Sequence, residues 1–154
     1  MAVVVRPVES RDVAAVIALV RAVLAEFGLE FGVGASTDDA VRALPGSFVA
    51  HGGAFWIAEH GGAVIGTCGM FPVGPNVYEL RKMYLAPAAR GLGVGRELLA
   101  TAVAWARARD GKRVVLDTIE AMARAIAFYE AHGFRRDDAE IRGSRCTRGY
   151  ALEL

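Results

Sequence analysis

The stretch Arg90-Gly91-Leu92-Gly93-Val94-Gly95-Arg96 sets three glycines at alternate positions between two arginines. Glycine lets the backbone turn sharply and leaves amide N–H groups with no side chain in front of them. Leu80 to Leu85 before it reads as a strand, and Glu97-Leu98-Leu99 after it opens a helix. A helix starting there adds the positive end of its dipole, so the junction is a seat for an anion such as a pyrophosphate. Two familiar phosphate motifs do not fit. A G-x-x-x-x-G-K-[ST] loop has no match in the chain. The G-x-G-x-x-G fingerprint fails because Arg96 holds the last glycine position, although Asp117 follows at a distance suited to a ribose contact.

The rest of the composition narrows the field. The chain has 154 residues, 54% apolar and 23% charged, which is the make-up of a folded domain; a single domain over residues 1–154 is expected. A net charge of +1 gives no electrostatic case for nucleic acid or a membrane surface. The basic residues Arg135, Arg136, Arg142, Arg145 and Arg148 alternate with Asp137, Asp138 and Glu140, and read as a solvated surface. Cys68 and Cys146 lie far apart and match no zinc or redox spacing, and Cys68 within an apolar run reads as a buried thiol. His51, His60 and His132 sit beside glycines or in turns and read as structural. No metal site is expected. No basic segment leads into an apolar run at the start, and no apolar stretch approaches the roughly 20 residues of a membrane span, so a cytoplasmic protein is expected.

The elements that must position the glycine stretch follow in order. Val3-Val4-Val5 closed by Pro7 suits a first strand. Ser10 is placed to cap a helix with apolar positions Val13, Val16, Ile17, Val20, Leu24 and Phe27, stopped by Gly28. From Gly28 to Gly53 the pattern is weak. Thr37-Asp38-Asp39 reads as the cap and acidic first turn of a short helix to Leu44, and the whole segment is expected to shape a substrate pocket. Phe55–Glu59 and Ala63–Thr67 flank the hairpin turn His60-Gly61-Gly62, and Gly74-Pro75-Asn76 turns into Val77–Leu85, which makes an antiparallel meander. Leu98, Leu99, Ala102, Val103 and Ala106 follow helical spacing, Arg113–Thr118 is a strand, and Met122, Ile126 and Tyr129 share one helix face. A strand–helix–strand crossover implies a parallel pair. Phe134 and Gly149–Leu154 supply the last strands. The class is α+β, a mixed and mostly antiparallel sheet flanked by helices, with one parallel pair beside the glycine loop.

Arg90-Gly91-Leu92-Gly93-Val94-Gly95 resembles the [QR]-x-x-G-x-[GA] loop of the GCN5-related N-acetyltransferase (GNAT) family. Leu80–Leu85 resembles that family's fourth strand, and Ala125-Ile126-Ala127-Phe128-Tyr129-Glu130-Ala131-His132-Gly133-Phe134 its A-x-x-x-Y-x-x-x-G-F helix. The opening Val5-Arg6-Pro7 and the closing Tyr150–Leu154 also suit the family, so the resemblance runs from Val3 to Leu154.

The resemblance implies acetyl-coenzyme A as cosubstrate and no metal. Main-chain groups of Met83, Tyr84 and Leu85 would pair with the pantetheine arm like an added strand, and Arg90, Gly91, Leu92, Gly93, Val94, Gly95 and Arg96 would hold the pyrophosphate. Tyr129 resembles the family's general acid near the thioester sulfur; a core tyrosine is the other reading. Glu79 stands where members that use a strand carboxylate carry the base; pairing with Arg81 on the same strand face is the other reading. The family often has asparagine seven residues before Tyr129, where this chain has Met122, which cannot donate a hydrogen bond.

The implied reaction moves an acetyl group directly from acetyl-coenzyme A to a primary amine of a small molecule or amino-acid-like compound. Peptide or protein N-acetylation is the alternative within the same chemistry, and a non-catalytic acyl-coenzyme A-binding regulatory module is the alternative outside it. The resemblance also allows a homodimer.

Overall fold

The computed structural model describes residues 2–33 and 37–154. Residues 34–36, part of the segment expected to shape a pocket, lie outside the described residues. Among the described residues seven strands, β1 (Val4–Pro7), β2 (Ala54–His60), β3 (Ala63–Gly74), β4 (Val77–Leu85), β5 (Arg113–Thr118), β6 (Arg135–Arg136) and β7 (Arg148–Glu153), form one sheet in the order β1-β2-β3-β4-β5-β7-β6. Only β4 and β5 run parallel; the other pairs are antiparallel. The helices are α1 (Val13–Ala25), α2 (Thr37–Arg42), α3 (Gly46–Val49), α4 (Val94–Arg107) and α5 (Ala123–Ala131). The expected mixed sheet with one parallel crossover is what the chain builds.

The strand period of two distributes the apolar residues between two cores. Along β2, Trp56 and Ala58 join Leu98, Ala102 and Ile126 beneath α4 and α5, while Phe55 and Ile57 join Val20, Val41 and Phe48 beneath α1, α2 and α3. Helix α4 turns Val94, Leu98, Ala102 and Ala106 inward at intervals of four, a buried stripe that fixes its rotation on the sheet.

Two features of β4 shape the middle of the sheet. Its pairing with β5 covers only Val77, Tyr78 and Glu79; from Leu80 onward the two strands separate. It also carries a bulge: opposite Thr67–Gly69 of β3 the register slips, and Lys82 takes the left-handed backbone conformation, φ 54°. A bulge adds one residue and increases the local twist. Here it moves Met83 and Leu85 onto the face of Leu80, where period two alone would have put Lys82.

Several local expectations need correction. Ser10 does not cap α1; a short 3₁₀ turn over Ser10–Asp12 precedes it, and the Asp12 carboxylate takes the Glu9 amide at 2.7 Å. The short helix expected to reach Leu44 ends at Arg42, and a further turn, α3, follows Pro45. Met122 precedes α5 rather than lying within it. The basic tail is not simply a solvated surface: Arg136 pairs with Asp138 and Arg148 with Glu120, while Arg145 crosses to Asp38.

Candidate active site

The gap between β4 and β5 opens into a cavity of about 790 Å³ lined from both faces of the sheet. Its first half is built around the glycine loop. Gly91 and Gly93 have φ of 77° and 82°, and Gly93 is the residue from which α4 starts. A side chain would be strained at either position. Gly95 differs: it lies inside the helix, where an added Cβ would stand 3.4 Å from Leu85 and Phe128, an ordinary packing contact between α4, β4 and α5. Positive charge surrounds this end. Arg96 and Arg124 line the cavity, and neither has an ion-pair partner among the described residues. Arg90 is committed elsewhere, with both terminal nitrogens 2.7 Å from Glu26 oxygens and one of them 3.1 Å from the Leu85 carbonyl. It ties the loop to the ends of α1 and β4. A left-handed glycine turn into a helix N-terminus, with two unpaired guanidiniums beside it, suits a pyrophosphate group.

Tyr129 reaches the cavity from α5, 7% exposed, with its ring edge-on to Phe128 and Phe134. Burial pushes its phenol well above the ordinary range, so the hydroxyl keeps its proton at neutral pH. No hydrogen-bond partner for it is found among the described residues.

The second half lies on the opposite face and is made of charge. Glu79 is 4% exposed. Its Oε1 accepts from Arg81 Nε, and Arg81 also lies 4.2 Å from the centre of the Phe71 ring. Its Oε2 is buried with no hydrogen-bond partner, although Arg142 Nη1 stands 3.5 Å away. The Glu79–Arg81 pairing open at the sequence level is therefore present, and it occupies only one carboxylate oxygen. Next to it, the bulge sends Lys82 to Asp38, which is fully buried on α2; Asp38 also accepts from the Gly32 amide at 2.8 Å and from Arg145 at 3.2 Å. Burial opposes ionisation of Asp38, but the hydrogen bonds from Lys82 and Gly32 outweigh it and hold the carboxyl below its ordinary 3.8. Burial pushes the Lys82 ammonium down, against the pull of Asp38. Burial likewise lifts the Tyr84 phenol, to about 12, against the influence of Arg145. Asp117 of β5 fixes the loop carrying these arginines, its Oδ2 taking the amides of Arg142 and Gly143 at 2.7 Å each. Cys146 also faces the cavity, its thiol pushed up to about 12 by burial and by Asp117.

Of the residues singled out from the sequence, Glu79, Met83, Tyr84, Leu85, Arg90, Gly91, Gly93, Gly95, Arg96 and Tyr129 all line this one cavity. Leu92 and Val94 do not: the Leu92 side chain is exposed and Val94 is packed in the core, leaving only their main chain near the turn. Met122 is at the cavity wall and accepts a weak hydrogen bond from Thr118 Oγ1 at 3.7 Å. His132 lines it too, with Nδ1 tied to the Phe128 carbonyl at 2.8 Å, and Cys68 is buried as expected. Sequence reasoning missed Arg124, Lys82, Asp38, Arg142 and Arg145. For Asp38 the one signal was its place in an acidic first turn, and for the last two a basic tail.

The fold has known counterparts. Residues 20–134 match the acetyltransferase (GNAT) family. The chain is 34% identical over 139 residues to the uncharacterized N-acetyltransferase YjgM of Escherichia coli K12, a match spanning 88% of this chain and 83% of that protein. It is 38% identical over 89 residues to the probable N-acetyltransferase family 8 member 5 of Mus musculus, spanning 54% of this chain and only 39% of the mouse protein. In structure it resembles a GNAT-family acetyltransferase of Staphylococcus aureus Mu50, TM-score 0.91 at 21% identity over 99% of both chains. It also resembles the PaiA N-acetyltransferase of Thermoplasma acidophilum in complex with coenzyme A, TM-score 0.80 at 17% identity over the whole of both chains. The chain belongs to the GNAT family and is an acetyl-coenzyme A-dependent N-acetyltransferase.

Proposed function

We propose that this enzyme acetylates a primary amine of a small molecule by direct transfer, with the cofactor in the glycine-loop half of the cavity and the acceptor in the charged half. The observation that carries the acceptor side is the Glu79 carboxylate: on a residue that lines the cavity, its buried Oε2 has no hydrogen-bond donor of its own, and is a place for an ammonium or for a water that relays its proton.

On this reading, the turn amides from Gly91 to Gly95 take the pyrophosphate together with Arg96, and Arg124 adds a second cation. Arg90 holds the loop in place through Glu26. The edge of β4 at Met83, Tyr84 and Leu85, unpaired where β5 has turned away, takes the pantetheine amides. The acceptor ammonium, with an ordinary pKa of roughly 10, must lose a proton before it can attack. Glu79 accepts that proton directly or through water. The nitrogen then forms a bond to the acetyl carbon as the carbon–sulfur bond breaks, the sulfur leaves with the electron pair, and the second proton shed by the new amide nitrogen passes through water to the thiolate, giving free thiol. Tyr129 meets that charge with its O–H. Because its phenol lies above the roughly 8.5 of a thiol, its main contribution is a hydrogen bond to the departing sulfur rather than complete proton loss.

Incubating the protein with acetyl-coenzyme A and a panel of primary amines, while following free thiol, tests this. Turnover is expected with small amines and is expected to fall in Glu79→Gln and Tyr129→Phe. Activity confined to peptides or proteins would replace the small-molecule assignment, and activity indifferent to both substitutions would remove the assigned roles.

A further inference from the structure

Four cationic side chains line the charged half of the cavity, and three are already committed. Arg81 is held by Glu79 and Phe71, and Lys82 and Arg145 both by Asp38. Arg142 is different. Its side chain is 40% exposed, its Nη2 is 3.0 Å from Glu140 Oε2, and its Nη1 reaches the Glu140 carbonyl at 3.1 Å. A guanidinium has five N–H donors, so these neighbours leave it able to receive an anion. The same Nη1 lies 3.5 Å from the unpartnered Glu79 Oε2. The backbone beneath both side chains is held in place: Asp117 takes the amides of Arg142 and Gly143 onto β5, and Glu79 is the last residue at which β4 and β5 are paired.

A buried acceptor oxygen with a guanidinium beside it matches a molecule that carries its ammonium and its carboxylate on one carbon. We infer that the acceptor is a free α-amino acid, its ammonium directed to Glu79 Oε2 and its carboxylate to Arg142. The inference rests on the acetyltransferase reading of the same cavity and adds the substrate class. Diamines, peptide N-termini and lysine side chains lack a carboxylate beside the reacting amine, and would bring Arg142 no anion beyond Glu140 and Glu79, which it already has.

The test compares each of a panel of L-α-amino acids with its α-amide and its decarboxylated amine, following thiol release, with binding to the coenzyme A complex measured by calorimetry. For at least one amino acid, kcat/KM is expected to exceed that of its amide and its amine by about tenfold or more, the size of one charge-assisted hydrogen bond. Arg142→Gln is expected to reduce that preference by about 10- to 100-fold, chiefly through KM, with Arg142→Lys restoring part of it. Coenzyme A affinity in each variant reports that it is folded. Equal use of acid, amide and amine by the unaltered enzyme overturns the inference, as does a preference that survives Arg142→Gln, or coenzyme A binding with no amino acid bound or acetylated. Failure to bind coenzyme A at all is a separate result: it removes the acetyltransferase reading beneath.

Discussion

The wall around Gly91–Arg96 is main chain from one continuous stretch, whereas the wall around Glu79 is side chain from segments that meet only in the fold. Gly93 and the first turn of α4 are neighbours in sequence; Asp38 and Arg145, which touch at 3.2 Å, are 107 positions apart. The first kind of wall recognises what all users of one cofactor share, through groups every residue carries. The second recognises what distinguishes one acceptor from another. A mutation in the first is felt as strain or lost amides, and in the second as an uncompensated charge.

If the halves are built so differently, they should break differently. The largest effect is expected from Asp38→Asn, which leaves Lys82 and Arg145 buried without a carboxylate and should cost about 3–5 kcal/mol in denaturant unfolding. The same residue sets an acid limb. Because Asp38 is held below its ordinary 3.8, the stability it contributes is complete above that value and is lost as the pH falls through the lowered one. A plot of stability against pH should show that slope in the native chain and lose part of it in Asp38→Asn. Next in size, Tyr129→Phe should lower kcat about 100-fold in single-turnover assays if its hydroxyl meets the leaving sulfur. Gly93→Val forces a branched side chain to φ 82° at a cost of about 1–2.7 kcal/mol; where that strain is relieved by distorting the turn, coenzyme A affinity by calorimetry should fall about 5- to 100-fold while the acid limb of Asp38 persists. The smallest effect is expected from Arg124→Gln: a loss in coenzyme A affinity of about tenfold or less, with a shallower dependence on ionic strength. Loss of the acid limb in Gly93→Val would show the two halves to be coupled.

The same division explains what could be read from the chain. The meander, the crossover, the glycine turn and Tyr129 all announce themselves within a few residues, through period, turn chemistry or spacing. The other half has no such local signal. Asp38 looks like any acidic residue in a first helical turn, and Arg145 like one more cation in a mixed surface, until α2 and the loop before β7 are brought over the same face of the sheet. Lys82 is the clearest case. An alternating pattern puts it on the face of Leu80, and only the bulge against Thr67–Gly69, a property of two strands together, turns it to Asp38. Glu79 falls between: its pairing with Arg81 is open to view on one strand, but the bare Oε2 requires Arg142 and the loop around it.

The separation of β4 from β5 has one more consequence. An unpaired strand edge is ordinarily a hazard, since it offers hydrogen bonds to any passing extended chain and so invites aggregation. Proteins usually guard such edges at the margins of a sheet. Here the bare edge lies in the middle, between strands that are still paired at their starts, and is fenced by the glycine loop, α5 and the loop pinned to Asp117. The protein thus keeps a sticky backbone edge without presenting it to its neighbours in a crowded cell.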